Sequence, residues 1–303
     1  METQMLRSHF VEVDGHDIHY LSNVECVNNA STNPLMLFLH GFPENAFAWE
    51  PLISCLSERV DVIAPDIPGY HKSAPLAQEG DYAVSKLLAR MATFIERVSN
   101  KRRVILVGHD WGGAIAWPLA AFHSHLFSHL VILNAAHPST FTELLKTSRK
   151  QREKSQYIHQ LIGDDAQSTL QSTDFKLLKN MLGESLFSTH KEYADTLLAM
   201  WNNKRSLSAM LNYYRNMPQL VPVTDADEHE LKRIHVPNIR ILIPTLVLWG
   251  EQDDAFEVDI LDALPRYVDN LAIKRHEGAT HWIHREQAMW AANHICDFIL
   301  NRE

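Results

Sequence analysis

The chain has 303 residues, of which 46% are apolar and 21% charged, and its formal net charge is −9. These values predict a folded globular protein with a sizeable core, and the negative charge, with no basic run longer than "KRR" at 101–103, excludes a nucleic-acid backbone as partner. The opening "METQMLRSHF" has no apolar stretch of signal-peptide length, and "ILIPTLVLW" at 241–249 is well short of the about 18 residues that span a bilayer, so we expect no membrane span.

The first 135 residues alternate short apolar runs with a helical pattern. The apolar runs are "LMLFL" at 35–39, "VDVIA" at 60–64, "VILV" at 104–107 and "LVILN" at 130–134. Between the second and third runs, apolar residues recur at helical spacing, namely Val84, Leu87, Leu88, Met91, Ile95 and Val98. This alternation predicts parallel strands whose connecting helices cover the faces of a sheet.

The strand signal disappears from about 138 to 240 and then returns. The intervening stretch carries helical apolar spacings, while "TLVLW" at 245 and "LAIKRH" at 271 predict two more strands. A closing helix is predicted from the shared face of Ala288, Ala291, Ala292, Ile295 and Ile299. We therefore expect a mostly parallel α/β core over 1–137 and 241–303, interrupted by an all-helical insertion over 138–240.

The segment "LVGHDWGGAIAW" at 106–117 predicts a sharp turn from a strand into a helix. Gly108, Gly112 and Gly113 permit a tight reversal, and Asp110 occupies the apex, where such an elbow exposes a nucleophile. A free aspartate has a pKa of about 3.9, so it is ionised at neutral pH without the help of a base. Asp110 is thus predicted to attack a saturated carbon and form an alkyl ester, which water must later hydrolyse.

Hydrolysis of that ester requires a general base and a carboxylate that orients it. The candidate base is His281 in "EGATHWIHREQ", which follows the last predicted strand, with His284 as the alternative. The favoured acid is Asp253, because its Gly-x-x-Asp spacing from Gly250 matches the usual position, and Asp254 is the alternative. Asn134 occupies a second position where such an acid can occur, but it carries no charge.

Backbone amides after two strands are predicted to form an oxyanion hole. The stretch "FLHGFPE" at 38–44 ends a strand in a glycine-containing turn, so the amides of Phe42 and Trp111 can point at the same ester oxygen. His40 is predicted to pack structurally rather than to react.

Together these motifs resemble the epoxide hydrolase group of the α/β-hydrolases over nearly the full chain. The resemblance rests on "HGFPE", "PDIPGYHKS", "GHDWGG", "LNAAHP", "SQYIHQL", "LNYYRN", "LVLWGEQDD" and "GATH". It implies an α/β-hydrolase fold with a helical lid, the conversion of an oxirane to a vicinal diol, and no metal or organic cofactor. It also implies that two lid tyrosines, Tyr157 and Tyr214, bind the epoxide oxygen.

The residues themselves support Tyr214 more firmly than Tyr157. Leu207, Met210, Leu211 and Tyr214 share one helical face, which predicts that Tyr214 is buried and that Tyr213, rotated by about 100°, is not on that face. Tyr157 and Leu161 are four residues apart and can share a face, although the aromatic-rich continuation of the group is replaced here by "IHQLIGDD".

Other functions compete with epoxide hydrolysis. A haloalkane dehalogenase shares the lid, the aspartate and Trp111, although in that group an asparagine often replaces Phe42. A fluoroacetate dehalogenase would carry an arginine at position 111, and a serine esterase is excluded by Asp110 at the elbow. A hydrolase fold that only binds a ligand is the alternative outside enzymes.

The cellular setting is predicted from the cysteines. Cys26, Cys55 and Cys296 are few, odd in number and without metal-ligand spacing, which favours ordinary thiols in a reducing, cytoplasmic compartment. The expected partners are a small epoxide and water, and the oligomeric state is left open.

Overall fold

The computed structural model describes residues 6–25, 27–28, 31–56 and 60–300. Residues 1–5, which belong to the opening segment considered above for a leader, and Cys26 lie outside this described part of the chain.

One eight-stranded sheet lies at the centre of the described structure. Its strands are β1 (Arg7–Val13), β2 (His16–Ser22), β3 (Leu35–Leu39), β4 (Asp61–Pro65), β5 (Val104–His109), β6 (Phe127–Leu133), β7 (Thr245–Gln252) and β8 (Leu271–Thr280). Their order is β1-β2-β4-β3-β5-β6-β7-β8, and only β2 runs antiparallel to its neighbours. The predicted, mostly parallel sheet and its six predicted strands are confirmed.

The first two strands were not predicted, and their exposure explains why. β1 lies at the sheet edge and most of its positions are exposed or half-buried, so it has no continuous apolar run. By contrast, every residue of β3 is buried: Leu35, Leu37 and Leu39 pack into one apolar cluster, and Met36 and Phe38 into another. Strands covered on both faces read as continuous apolar segments in a sequence, whereas edge strands do not.

Helices cover both faces of the sheet and form the insertion. The N-terminal part contributes α1 (Glu50–Cys55), α2 (Val84–Ser99) and α3 (Asp110–Phe122). Between 138 and 240, all of which is described, there are nine helices and no strand: α4 (Pro138–Thr147), α5 (Arg149–Ser155), α6 (Tyr157–Ile162), α7 (Ala166–Ser172), α8 (Lys176–Leu182), α9 (Glu184–Thr189), α10 (Lys191–Asn202), α11 (Lys204–Arg215) and α12 (Glu228–Lys232). The C-terminal part adds α13 (Ile283–Glu286) and the predicted closing helix, α14 (Ala288–Leu300).

The helical insertion is fastened to the core by buried hydrogen bonds. Trp201 on α10 donates its indole N–H to the carbonyl of Pro43 at 2.9 Å, and Tyr213 on α11 donates its hydroxyl to the carbonyl of Pro68 at 2.9 Å. Tyr213 is fully buried although it lies about 100° from the face that carries Tyr214. The reason is that α11 is covered on two sides, because the ring of Tyr213 also packs against the core residue Tyr70.

Parallel strands bring the predicted site to one edge of the sheet. Asp110, Asn134 and His281 directly follow the carboxyl ends of β5, β6 and β8, and Asp253 directly follows β7. In open α/β sheets this edge is where ligands bind. Among the described residues, no helix combines the length and apolar character that crossing a membrane requires.

Candidate active site

The strand-to-helix elbow holds Asp110 in an uncommon backbone conformation. β5 ends at His109, and Asp110 begins α3 with φ of +49°, in the left-handed region that non-glycine residues rarely adopt. The glycines that follow Asp110 allow the start of α3 to pack closely against neighbouring segments. A Cβ atom at Gly112 would lie 2.0 Å from the carbonyl oxygen of Leu39, and one at Gly113 would lie 2.1 Å from the Cβ of Ala135. The elbow therefore requires glycine at both positions.

The side chain of His281 lies between the carboxylates of Asp110 and Asp253. The Nδ1 atom of His281 is 2.9 Å from Oδ2 of Asp253, and its Nε2 atom is 3.7 Å from Oδ2 of Asp110. Asp253 is 1% exposed, whereas its neighbour Asp254 is exposed to solvent. Of the two candidate acids, only Asp253 contacts the histidine.

The charges around His281 favour its protonated form in the unreacted protein. Burial alone would lower the pKa of His281, but the carboxylates of Asp253 and Asp110 outweigh it and raise the pKa to about 10. Burial would raise the pKa of Asp253, yet His281 and the hydrogen bonds to its carboxylate hold that pKa below its usual range. An imidazolium flanked by two carboxylates is therefore the favoured state before any reaction.

One of the two amides predicted to form an oxyanion hole is bonded to the aspartate. The backbone N–H of Phe42 donates a 2.7 Å hydrogen bond to Oδ1 of Asp110. The N–H of Trp111 lies in the first turn of α3, where N–H groups have no partner within the helix. A Cβ atom at Gly41 would lie 2.4 Å from the Cβ of Asp110, so glycine is needed for this close approach. Oδ1 thus faces the backbone amide and Oδ2 faces His281.

The two tyrosines and Asp110 line one cavity of about 680 Å³ between the sheet edge and the insertion. Tyr157 begins α6 and Tyr214 lies on α11, and their ring centroids are 6.2 Å apart. Burial, together with the nearby charge of Asp110, raises the pKa of both hydroxyls above the usual value. Both therefore remain protonated donors across the neutral pH range.

The tyrosines differ in their surroundings. Tyr214 is 5% exposed and is held by edge-to-face contacts with the rings of Phe42 and Trp111, at centroid distances of 5.0 and 5.2 Å. Tyr157 is only half-buried because part of its ring borders the cavity. The other walls are largely apolar and include the exposed side chains of Phe122 and Leu220. The cavity therefore offers an apolar molecule a mostly apolar surface beside Asp110.

His284, the alternative base, faces away from Asp110. Its Nε2 atom lies 3.0 Å from Oε2 of Glu44, which also forms an ion pair with Arg285 at 3.0 Å. Burial would raise the pKa of Glu44, but Arg285 and His284 outweigh it and lower that pKa to about 2. No spacing in the sequence indicates this buried pair, although Glu44 ends the "HGFPE" motif.

Glu44 also belongs to a cluster of three described residues whose donor atoms are close enough together to ligate a metal. Donor atoms of Glu44, His109 and His284 lie within 4.8 Å of one another, and all three residues are buried. A guanidinium already neutralises Glu44, however, and Nε2 of His109 is bonded to the carbonyl of His281 at 2.9 Å. These contacts indicate a structural network that connects the turn at 41–44 with the segment that carries His281 and His284.

The family model, the relatives and the solved structures that resemble this chain agree with one another. Residues 34–288 match the family described as "alpha/beta hydrolase fold". The chain is 30% identical to Epoxide hydrolase 3 of Xenopus tropicalis over 296 residues, covering 94% of this chain and 75% of that protein. Among solved structures, it is similar to an epoxide hydrolase from metagenomes of hot environments (30% identity, TM-score 0.87, 98% of this chain and 100% of that one). It is also similar to a mutant of a Bacillus megaterium epoxide hydrolase (27% identity, TM-score 0.84, 97% and 100%).

Proposed function

Because this chain belongs to the epoxide hydrolase family of the α/β-hydrolase fold, we propose that it is an epoxide hydrolase, which adds water to an oxirane to give a vicinal diol. The observation that carries the proposal is the placement of two tyrosine hydroxyls beside an aspartate at the elbow, in one largely apolar cavity. No metal or organic cofactor takes part in the proposed reaction.

In the first step Asp110 opens the ring. Its Oδ2 atom attacks one epoxide carbon, the carbon–oxygen bond of the ring breaks, and the departing oxygen takes a proton from Tyr157 or Tyr214. A proton is needed because an alkoxide is about as basic as hydroxide, whereas a tyrosine hydroxyl with an ordinary pKa of about 10 can donate to it. The product is an alkyl ester on Asp110 that carries a hydroxyl on the adjacent carbon.

In the second step His281 activates water. Ester formation removes the negative charge of Asp110, so the pKa of His281 falls. The imidazolium proton then passes to the tyrosinate left by the first step, and Nε2 of His281 becomes free to accept a proton from water. The resulting hydroxide attacks Cγ of Asp110, and the amides of Phe42 and Trp111 bind the negative oxygen. Collapse of this intermediate breaks the ester bond and leaves a carboxyl group on Asp110, whose proton goes to the diol oxygen, so that the Asp110 carboxylate and the His281 imidazolium are both regained. Asp253 holds the imidazole in the required orientation and stabilises its positive charge.

We assign the helical segment over 138–240 the role of a lid. Its α6 and α11 supply the two tyrosines, while the core over 1–137 and 241–303 supplies the nucleophile, the base and the acid. We further propose a cytoplasmic location, which the small number of cysteines without metal-ligand spacing supports.

A substrate panel tests the proposal. Purified protein is offered epoxides of different size and, separately, haloalkanes, with diol and halide release measured. We expect diol formation by the parent and none by Asp110→Asn, whose amide is a poor nucleophile. Faster halide release than epoxide opening would instead assign a dehalogenase, since halide leaves without a proton. A folded parent that acts on neither class would indicate a binding protein.

A further inference from the structure

Asn134 follows β6 at the same sheet edge as the reacting side chains, but it takes no part in the proposed mechanism. Its buried Nδ2 group lies 2.7 Å from Oδ2 of Asp253, the oxygen that also binds His281. We infer that Asn134 is a positioning residue, which holds the carboxylate of Asp253 in the one orientation that serves His281. The inference rests on the proposed function.

The direction of the Asn134 amide is set by Gly250. Oδ1 of Asn134 accepts a 2.8 Å hydrogen bond from the N–H of Gly250, while Nδ2 donates to the carbonyl of Gly250 at 3.0 Å. Because a backbone N–H can only donate, Oδ1 must face it, and the N–H₂ group is left to face Asp253. Asn134 reaches this position with φ of +36°, a left-handed conformation that asparagine tolerates better than most residues.

The other donors to Asp253 leave its carboxylate no freedom to rotate. Oδ1 accepts from the backbone N–H groups of Ala255 and Phe256 at 2.7 and 3.0 Å, and Oδ2 accepts from Asn134 and His281. Each oxygen therefore has two donors. Without Asn134, Oδ2 would keep only the imidazole, and a buried acceptor site would lose its partner.

The uncharged amide matters as much as its position. An aspartate at 134 would place a second carboxylate about 2.7 Å from Oδ2 of Asp253. Two carboxylates at that distance cannot both ionise readily, so the pair would tend to share a proton. Asparagine donates to Asp253 in the same place without adding charge beside His281.

The test compares Asn134→Ala with Asn23→Ala as a matched control. Like Asn134, Asn23 both donates to and accepts from the backbone of another segment: it donates to the carbonyl of Val60 and accepts from the N–H of Val62, both at 2.8 Å. It contacts none of the reacting side chains. Single-turnover experiments on an epoxide that the parent hydrolyses separate formation of the Asp110 ester from its hydrolysis.

We expect Asn134→Ala to slow ester hydrolysis by about 10- to 100-fold, the loss typical when the hydrogen-bond partners behind a metal-ligating histidine or carboxylate are removed. Ester formation should change little, so kcat and KM fall together and the ester accumulates. The Asn23→Ala protein should keep the parent's rates. Equal rates in both alanine variants would overturn the inference.

Asn134→Asp is the second variant, because it keeps the shape of the side chain and the acceptor for Gly250. While it shares a proton with Asp253, the new carboxyl group can donate to Oδ2 as the amide does, and loss of that proton leaves two carboxylates in contact. The kcat profile should therefore gain a fall with rising pH, set by ionisation of this pair, that the parent lacks. The other ionisable groups facing His281 are Asp110, Asp253, His109 and His284, and the substitution leaves all four in place. A merely structural role predicts the parent's pH profile, and observing that profile would refute the inference. Failure of the parent to hydrolyse any epoxide would instead refute the proposed function.

Discussion

The Nε2 atom of His281 stands 3.7 Å from Oδ2 of Asp110, beyond direct hydrogen-bonding distance. The histidine is therefore placed beside the aspartate without being bonded to it. Since Asp110 is a carboxylate, it needs no base for its own attack, and the histidine is free for the later step with water.

Replacing His281 by glutamine should block ester hydrolysis while leaving ester formation possible. Intact mass measurement after incubation with an epoxide is expected to show the addition of one substrate mass, located on the peptide that contains Asp110. The Asp110→Asn protein is the control and should gain no mass. Continued turnover by His281→Gln without any adduct would contradict the two-step mechanism.

The two adjacent carboxylates at 253 and 254 should behave very differently. Asp253→Asn removes the partner of the imidazole and should lower turnover by up to about 10⁴-fold, as when the orienting aspartate of a catalytic triad is lost. Asp254 is exposed, so Asp254→Asn should stay close to the parent. Steady-state kinetics of the two variants check this. A larger loss of turnover in Asp254→Asn than in Asp253→Asn would assign the acid to Asp254.

Removing the lid hydroxyls should affect epoxide opening in a graded way. Tyr157→Phe and Tyr214→Phe should each reduce the rate of ester formation, and the double variant should lose about 10²- to 10⁴-fold or more, because no donor then protonates the departing oxygen. Single-turnover rates measure this loss. Parent rates in the double variant would exclude the tyrosines as acids.

Tyr213→Phe is the matched control for the tyrosines. It loses the hydrogen bond to the carbonyl of Pro68, which should reduce the free energy of unfolding by about 1 kcal/mol while epoxide turnover is retained. Thermal unfolding and turnover together separate a structural tyrosine from a reacting one.

Glycine at 41 should be required for activity. In Gly41→Ala, the new Cβ would lie 2.4 Å from the Cβ and 2.5 Å from Oδ1 of Asp110, so the aspartate must move away from the Phe42 amide. We expect turnover to fall by about 10²- to 10³-fold, the cost of losing an oxyanion donor. At Gly80 a Cβ meets nothing within 4 Å, so Gly80→Ala should keep full activity.

The raised pKa of His281 predicts a pH-dependent contribution to stability. The pKa is about 10 in the folded protein against an ordinary value of 6.5, so protonated His281 stabilises the fold fully below about pH 6.5, and this contribution is lost as the pH rises through about 10. Denaturant unfolding should therefore show a larger difference between parent and His281→Gln at pH 6 than at pH 10. Substitution of the exposed His235 by glutamine provides the comparison, and a difference for His281→Gln that does not change with pH would contradict the assignment.

The sequence by itself determined the features that depend only on neighbouring residues. Buried strands such as β3 read as unbroken apolar runs, the amphipathic spacing of α2 was visible, and the glycines around Asp110 predicted an elbow that the left-handed φ of Asp110 bears out. Chain order and strand ends were then enough to nominate Asp253 and His281, because parallel strands deliver their following loops to one edge.

Tertiary structure decided what depends on contacts between distant segments. Spacing favoured Asp253 over Asp254, but packing buries the one and exposes the other. Packing also covers Tyr213 as well as Tyr214 and turns His284 toward Glu44, 240 positions away along the chain. It also places Asn134 against an aspartate 119 positions further along. Helical or strand periodicity records which face of an element is buried, but not which partner lies on that face, and each of these relationships is set by the partner.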